Sequence, residues 1–165
     1  MNDFTSLILI FPLAITLHNI EEALWLPQWS QFAKRYHKPV GRNEFYFALI
    51  CVTLIAYLSS FFFLLFNEVV ILKYIYFGFV GAMILNAIFP HLIATILLKR
   101  YAPGVITGIV MNVPCFSFLI IFAIKENLIS IFEVIISTAV VGGTILASLP
   151  MFFKLGQRLT MFEQD

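Results

Sequence analysis

Residues 4–26 read FTSLILIFPLAITLHNIEEALWL, an apolar run that carries His18, Glu21 and Glu22 within about one helical turn. About 20 apolar residues cross a hydrocarbon core of roughly 30 Å as a helix. Positions i, i+3 and i+4 share a helix face, so the three side chains project together. Inserting a carboxylate at bilayer depth raises the free energy of the membrane helix by roughly 2.5–3.5 kcal/mol. The stretch therefore predicts a membrane helix and a partner that neutralises its glutamates.

Composition extends this prediction to all 165 residues. Hydrophobic residues make up 61% of the chain and charged residues 12%, whereas a soluble domain has about half and about a quarter. We predict an all-α integral membrane bundle, formed by a single domain of about five transmembrane helices. The net charge of +1 argues against nucleic acid as a partner, and membrane lipids are the expected surroundings.

Five apolar runs have spanning length. The predicted spans are 4–26, 44–66, 70–98, 104–124 and 129–153. After the first span, apolar residues recur at helical spacing through residues 28–38, with cations between them. This pattern predicts a short amphipathic helix in the headgroup plane.

Basic residues predict the orientation of the bundle. Eight of the ten lysines and arginines lie in the first connection, the third connection and the C-terminal tail, which share one side of a five-helix bundle. Loops rich in lysine and arginine stay in the cytoplasm. We therefore predict that the N-terminus is outside and the C-terminus is cytoplasmic.

Depth along the helices predicts that other polar side chains lie near the two glutamates. His18, His91 and Asn112 each lie seven or eight residues from a predicted cytoplasmic helix end, or roughly 10–12 Å at 1.5 Å per residue. Pro90 has no backbone N–H to donate to the Asn86 carbonyl. The third helix is therefore predicted to break beside the Asn86 side chain. Broken backbone at membrane depth is tolerated where it lines a cavity or is buried in protein.

Imidazole and carboxylate groups at one depth predict a metal site. The predicted metal ligands are His18, Glu21, Glu22 and His91. The predicted catalytic residues are Glu21, Glu22, Asn86 and Asn112. Such ligands suit zinc, iron or manganese. A metal-free alternative uses the same atoms as an acid/base pair that moves a proton on an isoprenoid, sterol or other lipid. In a structural alternative, they only hydrogen-bond neighbouring helices or reach interfacial cations.

The motif His18-x-x-Glu21-Glu22 resembles that of the HXXEE family of small bacterial membrane proteins. The likeness extends to Pro27-x-Trp29, to Asn86 with His91, and to the turn Tyr101-x-Pro103-Gly104. The resemblance implies a multi-pass protein of the bacterial cell membrane (inner or cytoplasmic) and makes the histidine and two glutamates its defining residues. It implies no reaction and no substrate.

Together, these features predict a membrane-embedded enzyme, metal-dependent or acid/base, that acts on a lipid-like or small hydrophobic substrate. A hydrolase and an isomerase or cyclase are both compatible with the residues. The alternatives are a proton- or cation-coupled transporter or binding protein, and a structural membrane protein without chemistry. Five helices without a repeat argue against a secondary transporter unless the chain forms a homo-oligomer. The sequence contains no phosphate loop, nucleophile elbow or zinc-peptidase motif.

Overall fold

The computed structural model describes residues 6–32, 34 and 39–160. Within these ranges all regular structure is helical, and five helices are long and apolar enough to cross a membrane. They are α1 (Ser6–Phe32), α2 (Arg42–Leu65), α3 (Val70–Leu98), α4 (Thr107–Lys125) and α5 (Ile131–Thr160). The prediction of an all-α bundle with five helices of spanning length is confirmed. The orientation of the termini stays a prediction.

α1 continues through Pro27 and ends at Phe32. Residues 28–32, predicted to begin a separate interfacial helix, are therefore the last turn of α1. A proline blocks only the bond to the fourth preceding carbonyl, and the Arg100 guanidinium lies 4.1 Å from the centroid of the Phe32 ring, which holds this last turn in place. The rest of the predicted interfacial helix, residues 33 and 35–38, lies outside the described residues.

α3 is interrupted at Pro90, as predicted. Phe89 has extended backbone angles (φ −124°, ψ 119°), and the Phe89–Pro90 peptide is cis. The six residues Ala87–Leu92 around it form a wide, π-helical turn. α4 begins with a second wide turn, Thr107–Asn112. Such turns occur frequently at functional sites. These two contact each other, and the turn of α4 also contacts α1.

An aromatic core fixes α1 against α3 and α4. The Phe11 ring contacts the rings of Tyr76, Phe79 and Phe116, with centroids 5.1 to 5.5 Å apart. All four side chains are fully or almost fully buried. The Tyr76 hydroxyl donates to the Ile8 carbonyl at 3.0 Å, which satisfies its polar atom. This packing sets the depth of the polar residues that follow along α1.

Glycine allows α3 and α5 to approach closely. A Cβ on Gly78 of α3 would lie 2.5 Å from the Ser137 carbonyl oxygen and 2.7 Å from Val141 Cγ2. Small residues at such a crossing are how membrane helices pack. Gly143, on the exposed face of α5, has nothing within 4 Å of the same added atom.

We expect Gly78→Ala to lower the unfolding temperature of the purified protein in detergent, because overpacking costs about 1–3 kcal/mol. Gly143→Ala is the matched control and should change stability by less than about 0.5 kcal/mol. The measurement is thermal unfolding followed by tryptophan fluorescence. Equal unfolding temperatures for the two variants would contradict the close contact of α3 with α5.

Candidate metal centre

Two histidines and a glutamate converge where α1 meets the break in α3. Glu22 Oε1 lies 2.9 Å from His91 Nε2 and 3.8 Å from His18 Nε2. The two imidazole rings meet edge to face, with centroids 5.1 Å apart. His18 is fully buried, and His91 and Glu22 are 4% and 8% exposed. We call these three residues the His–Glu–His cluster; their donor atoms all lie within 4.8 Å of one another.

Local backbone structure brings these side chains together. His18 and Glu22 are four residues apart on α1 and share a face. His91 follows Pro90 in the wide turn of α3. A Cβ on Gly104 would lie 2.8 Å from His91 Cε1 and 3.0 Å from His18 Cε1. Gly104 also has a φ of +92°, so both its backbone and its contact with the rings require glycine.

Asn86 adds a fourth polar group beside the two histidines, and its catalytic role stays a prediction. Its amide nitrogen lies 3.3 Å from His18 Nε2 and 3.2 Å from His91 Nε2. A half-turn of the amide exchanges its NH₂ group and its oxygen. When the NH₂ group faces the imidazoles, it donates to one of their nitrogens. When the oxygen faces them, it directs a lone pair into the cluster and can help to bind a cation.

Four of the distances among these groups can be compared with the ligand spacing around a tetrahedral metal ion. An ion bound at about 2.0–2.1 Å separates its ligands by about 3.3–3.4 Å. The distances from Asn86 to the two imidazole nitrogens are 3.3 and 3.2 Å, and those from Glu22 lie on either side at 2.9 and 3.8 Å. Two imidazoles, a carboxylate and an amide oxygen suit zinc, iron or manganese.

Glu21 turns away from the cluster, contrary to its prediction as a metal ligand. Its carboxylate accepts hydrogen bonds from the backbone N–H groups of Gly104 and Thr107, each at 2.8 Å, and from a third N–H group at 3.3 Å. The Tyr101 hydroxyl donates to the same carboxylate. These backbone donors are free because they lie at the beginning of α4, where a negative charge is favourable. Adjacent helix residues point about 100° apart, so Glu21 and its neighbour reach different partners.

Two residues of this region were not predicted as site residues. Tyr101 is one of them: burial and then its hydrogen bond to Glu21 raise the pKa of its hydroxyl, so it remains a proton donor. Thr107 is the other, and its Oγ1 lies 3.0 Å from His18 Nδ1. The sequence holds one indication of each: Tyr101 begins the turn Tyr101-x-Pro103-Gly104 between the third and fourth predicted helices, and Thr107 lies near the predicted start of the fourth helix.

Asn112 is fully buried at the end of the wide turn of α4. Neither its amide nitrogen nor its amide oxygen has a hydrogen-bond partner among the described residues. Its predicted catalytic role therefore stays a prediction. A buried amide group without hydrogen bonds lowers the free energy of unfolding by about 1–3 kcal/mol for each unsatisfied donor or acceptor.

A separate cleft of about 450 Å³ lies between α1 and α2. Thr16, Asn19, Ile20 and Ala23 line it from α1, and none of the three cluster residues contributes to its lining. On a helix, Thr16, Ile20 and Ala23 lie roughly 100–160° around from His18 and Glu22. α1 itself therefore separates this cleft from the cluster.

Comparisons with known proteins match the region that contains the cluster. A family model described as "Protein of unknown function with HXXEE motif" matches residues 9–119. The "Uncharacterized protein YrkK" of Bacillus subtilis (strain 168) is 53% identical over 150 residues, which cover 91% of this chain and 95% of the relative. None of the solved structures that were compared matches the chain significantly.

We expect Glu21→Gln to destabilise the protein by roughly 2–4 kcal/mol, because the amide leaves one acceptor oxygen and turns an NH₂ group towards N–H donors. Tyr101→Phe removes one donor and should cost about 1 kcal/mol. Glu126→Gln is the control, since Glu126 is exposed. Thermal unfolding in detergent measures the effect. If Glu21→Gln and Glu126→Gln unfolded at the same temperature, the role of Glu21 at the beginning of α4 would be wrong.

Proposed function

This chain belongs to the HXXEE family, and from that premise we propose that it is a metal-dependent enzyme of the bacterial inner membrane, acting on a lipid-like or small hydrophobic molecule. One observation carries the proposal. The donor atoms of the buried residues His18, His91 and Glu22 all lie within 4.8 Å of one another, and the Asn86 amide nitrogen lies within 3.3 Å of both imidazoles.

Electrostatics favour a cation in the cluster. Two neutral imidazoles and an ionised Glu22 leave one uncompensated negative charge in an apolar interior. Burying such a charge costs several kcal/mol. A divalent ion reverses the sign of the total charge and attracts each lone pair that faces it. It also removes the need for a proton between His91 Nε2 and Glu22 Oε1, which lie 2.9 Å apart.

The metal ion and each residue of the cluster would have separate roles. A bound divalent ion supplies Lewis acidity, which polarises a carbonyl or phosphoryl oxygen or a water molecule. His18 and His91 would hold it through Nε2. Glu22 would hold it through Oε1, and its second carboxylate oxygen would be free to accept a proton. Asn86 would either complete the ligand set or orient a substrate oxygen with its NH₂ group.

The surroundings of the cluster favour a hydrophobic substrate. Ile88 and Phe89, in the wide turn that carries His91, are 41% and 68% exposed. These apolar side chains lie on a helix of spanning length and would face lipid. A molecule that partitions into the bilayer can approach the break in α3 from this side. A charged solute would first have to lose its hydration, which is unfavourable by many kcal/mol.

Two other functions each have one observation in their favour. The 2.9 Å contact between His91 Nε2 and Glu22 Oε1 suits a metal-free acid/base pair that moves a proton on a lipid. The broken helix α3 beside a buried ionisable cluster resembles the interrupted helices that bind ions in secondary transporters. Metal analysis tests the first alternative, and transport measurements test the second.

Purified without a histidine tag and loaded with Zn²⁺, Fe²⁺ or Mn²⁺, the protein should retain about one ion per chain. His91→Ala should lose most of that metal, because it removes one of the imidazole ligands. His37→Ala is the control: it removes the third histidine of the chain, which lies outside the described residues. Mass spectrometry of the metal content provides the measurement. A wild-type protein that retains none of the three metals would contradict metal dependence and leave acid/base chemistry.

Transport would give a different result in proteoliposomes. Enzymatic function predicts that vesicles containing the protein accumulate the loaded metal no faster than empty vesicles. Uptake that depends on the protein and disappears in His91→Ala would contradict the enzyme and support a cation transporter.

A further inference from the structure

We infer that Thr107 is a positioning residue, which fixes His18 in the tautomer and orientation that bind metal, and that Glu21 fixes Thr107 in turn. The inference rests on the proposed metal site. It assigns the two glutamates of the motif to different tasks: Glu22 would contact the metal, and Glu21 would act on it through Thr107 and His18.

Thr107 connects the two residues by two contacts. Its Oγ1 lies 3.0 Å from His18 Nδ1. Its backbone N–H donates to Glu21 Oε2 at 2.8 Å. Since His18 and Glu21 are three residues apart on α1, they share a face of the helix, and both reach the same threonine.

A metal on Nε2 would require one tautomer of His18. Nε2 would have to keep its lone pair, so the single ring proton of the neutral imidazole would lie on Nδ1. Nδ1 lies 3.0 Å from Thr107 Oγ1, and a hydroxyl oxygen can accept a hydrogen bond from it. The backbone N–H of Thr107 donates to Glu21 at 2.8 Å, which fixes the position of the threonine.

That lone pair lies where a metal would need it. Nε2 of His18 is the atom that faces Asn86, at 3.3 Å, and Glu22, at 3.8 Å. The opposite tautomer would place a proton on Nε2 and exclude a metal from it. Histidines that bind metals usually donate their other N–H group to an oxygen, and loss of that partner costs about 10–100-fold in affinity. Here the Thr107 hydroxyl would provide the oxygen, and the bond from the Thr107 backbone N–H to Glu21 holds that residue in place.

The test compares two substitutions of Thr107 in the full-length protein. Thr107→Val keeps the shape of the side chain but removes Oγ1, whereas Thr107→Ser keeps the hydroxyl and removes only a methyl group. Zn²⁺ affinity is measured by competition with a fluorescent chelator in detergent. We expect Thr107→Ser to bind within about threefold of wild type and Thr107→Val to bind about 10–100-fold more weakly. Should Thr107→Val not purify as a folded protein, Thr107→Ala provides the same comparison.

A second readout separates positioning from general destabilisation. The visible absorption of bound Co²⁺ reports the arrangement of its ligands, so Thr107→Val should change this spectrum and Thr107→Ser should restore it. If wild type binds metal and Thr107→Val matches it in affinity and spectrum, the role of Thr107 is overturned and the metal site stands. If wild type binds neither Zn²⁺ nor Co²⁺, the metal site itself is overturned.

Discussion

Two adjacent carboxylates in an apolar helix are the constraint on which the rest of the polar interior depends. Glu21 and Glu22 are both at least nine-tenths buried, and each needs its own compensation because they point in different directions. Backbone N–H groups at the beginning of α4 and the Tyr101 hydroxyl surround Glu21. Imidazoles surround Glu22. One glutamate therefore connects α1 to α4, and the other connects α1 to α3.

This compensation requires departures from regular helix. α3 must widen and break to present His91, and α4 must begin with a loop that folds back over both imidazole rings. Gly104 makes that approach possible, because any side chain there would collide with them. Each departure leaves backbone groups without helical partners. In an apolar medium these groups are costly unless protein groups satisfy them, and Glu21 provides such a partner for three N–H groups.

The sequence predicted the helices and most of the cluster for physical reasons that act locally. Hydropathy and length determine which runs can span a membrane, and a constant rise per residue places His18 and His91 at one depth. The sequence could not predict that Glu21 and Glu22 contact different partners, because this depends on how α1 is rotated relative to the loop before α4. Thr107 was missed for the same reason. Asn112 has the predicted burial, but depth alone does not supply a hydrogen-bond partner.

We propose that His18, His91 and Glu22 together hold one divalent metal ion inside the bundle. X-ray absorption at the zinc edge of the loaded protein tests this most directly, since it reports the ligands without any knowledge of substrate. We expect nitrogen and oxygen ligands at about 2.0–2.1 Å, with the outer-shell scattering of two imidazole rings. A first shell of oxygen ligands without imidazole scattering would contradict it.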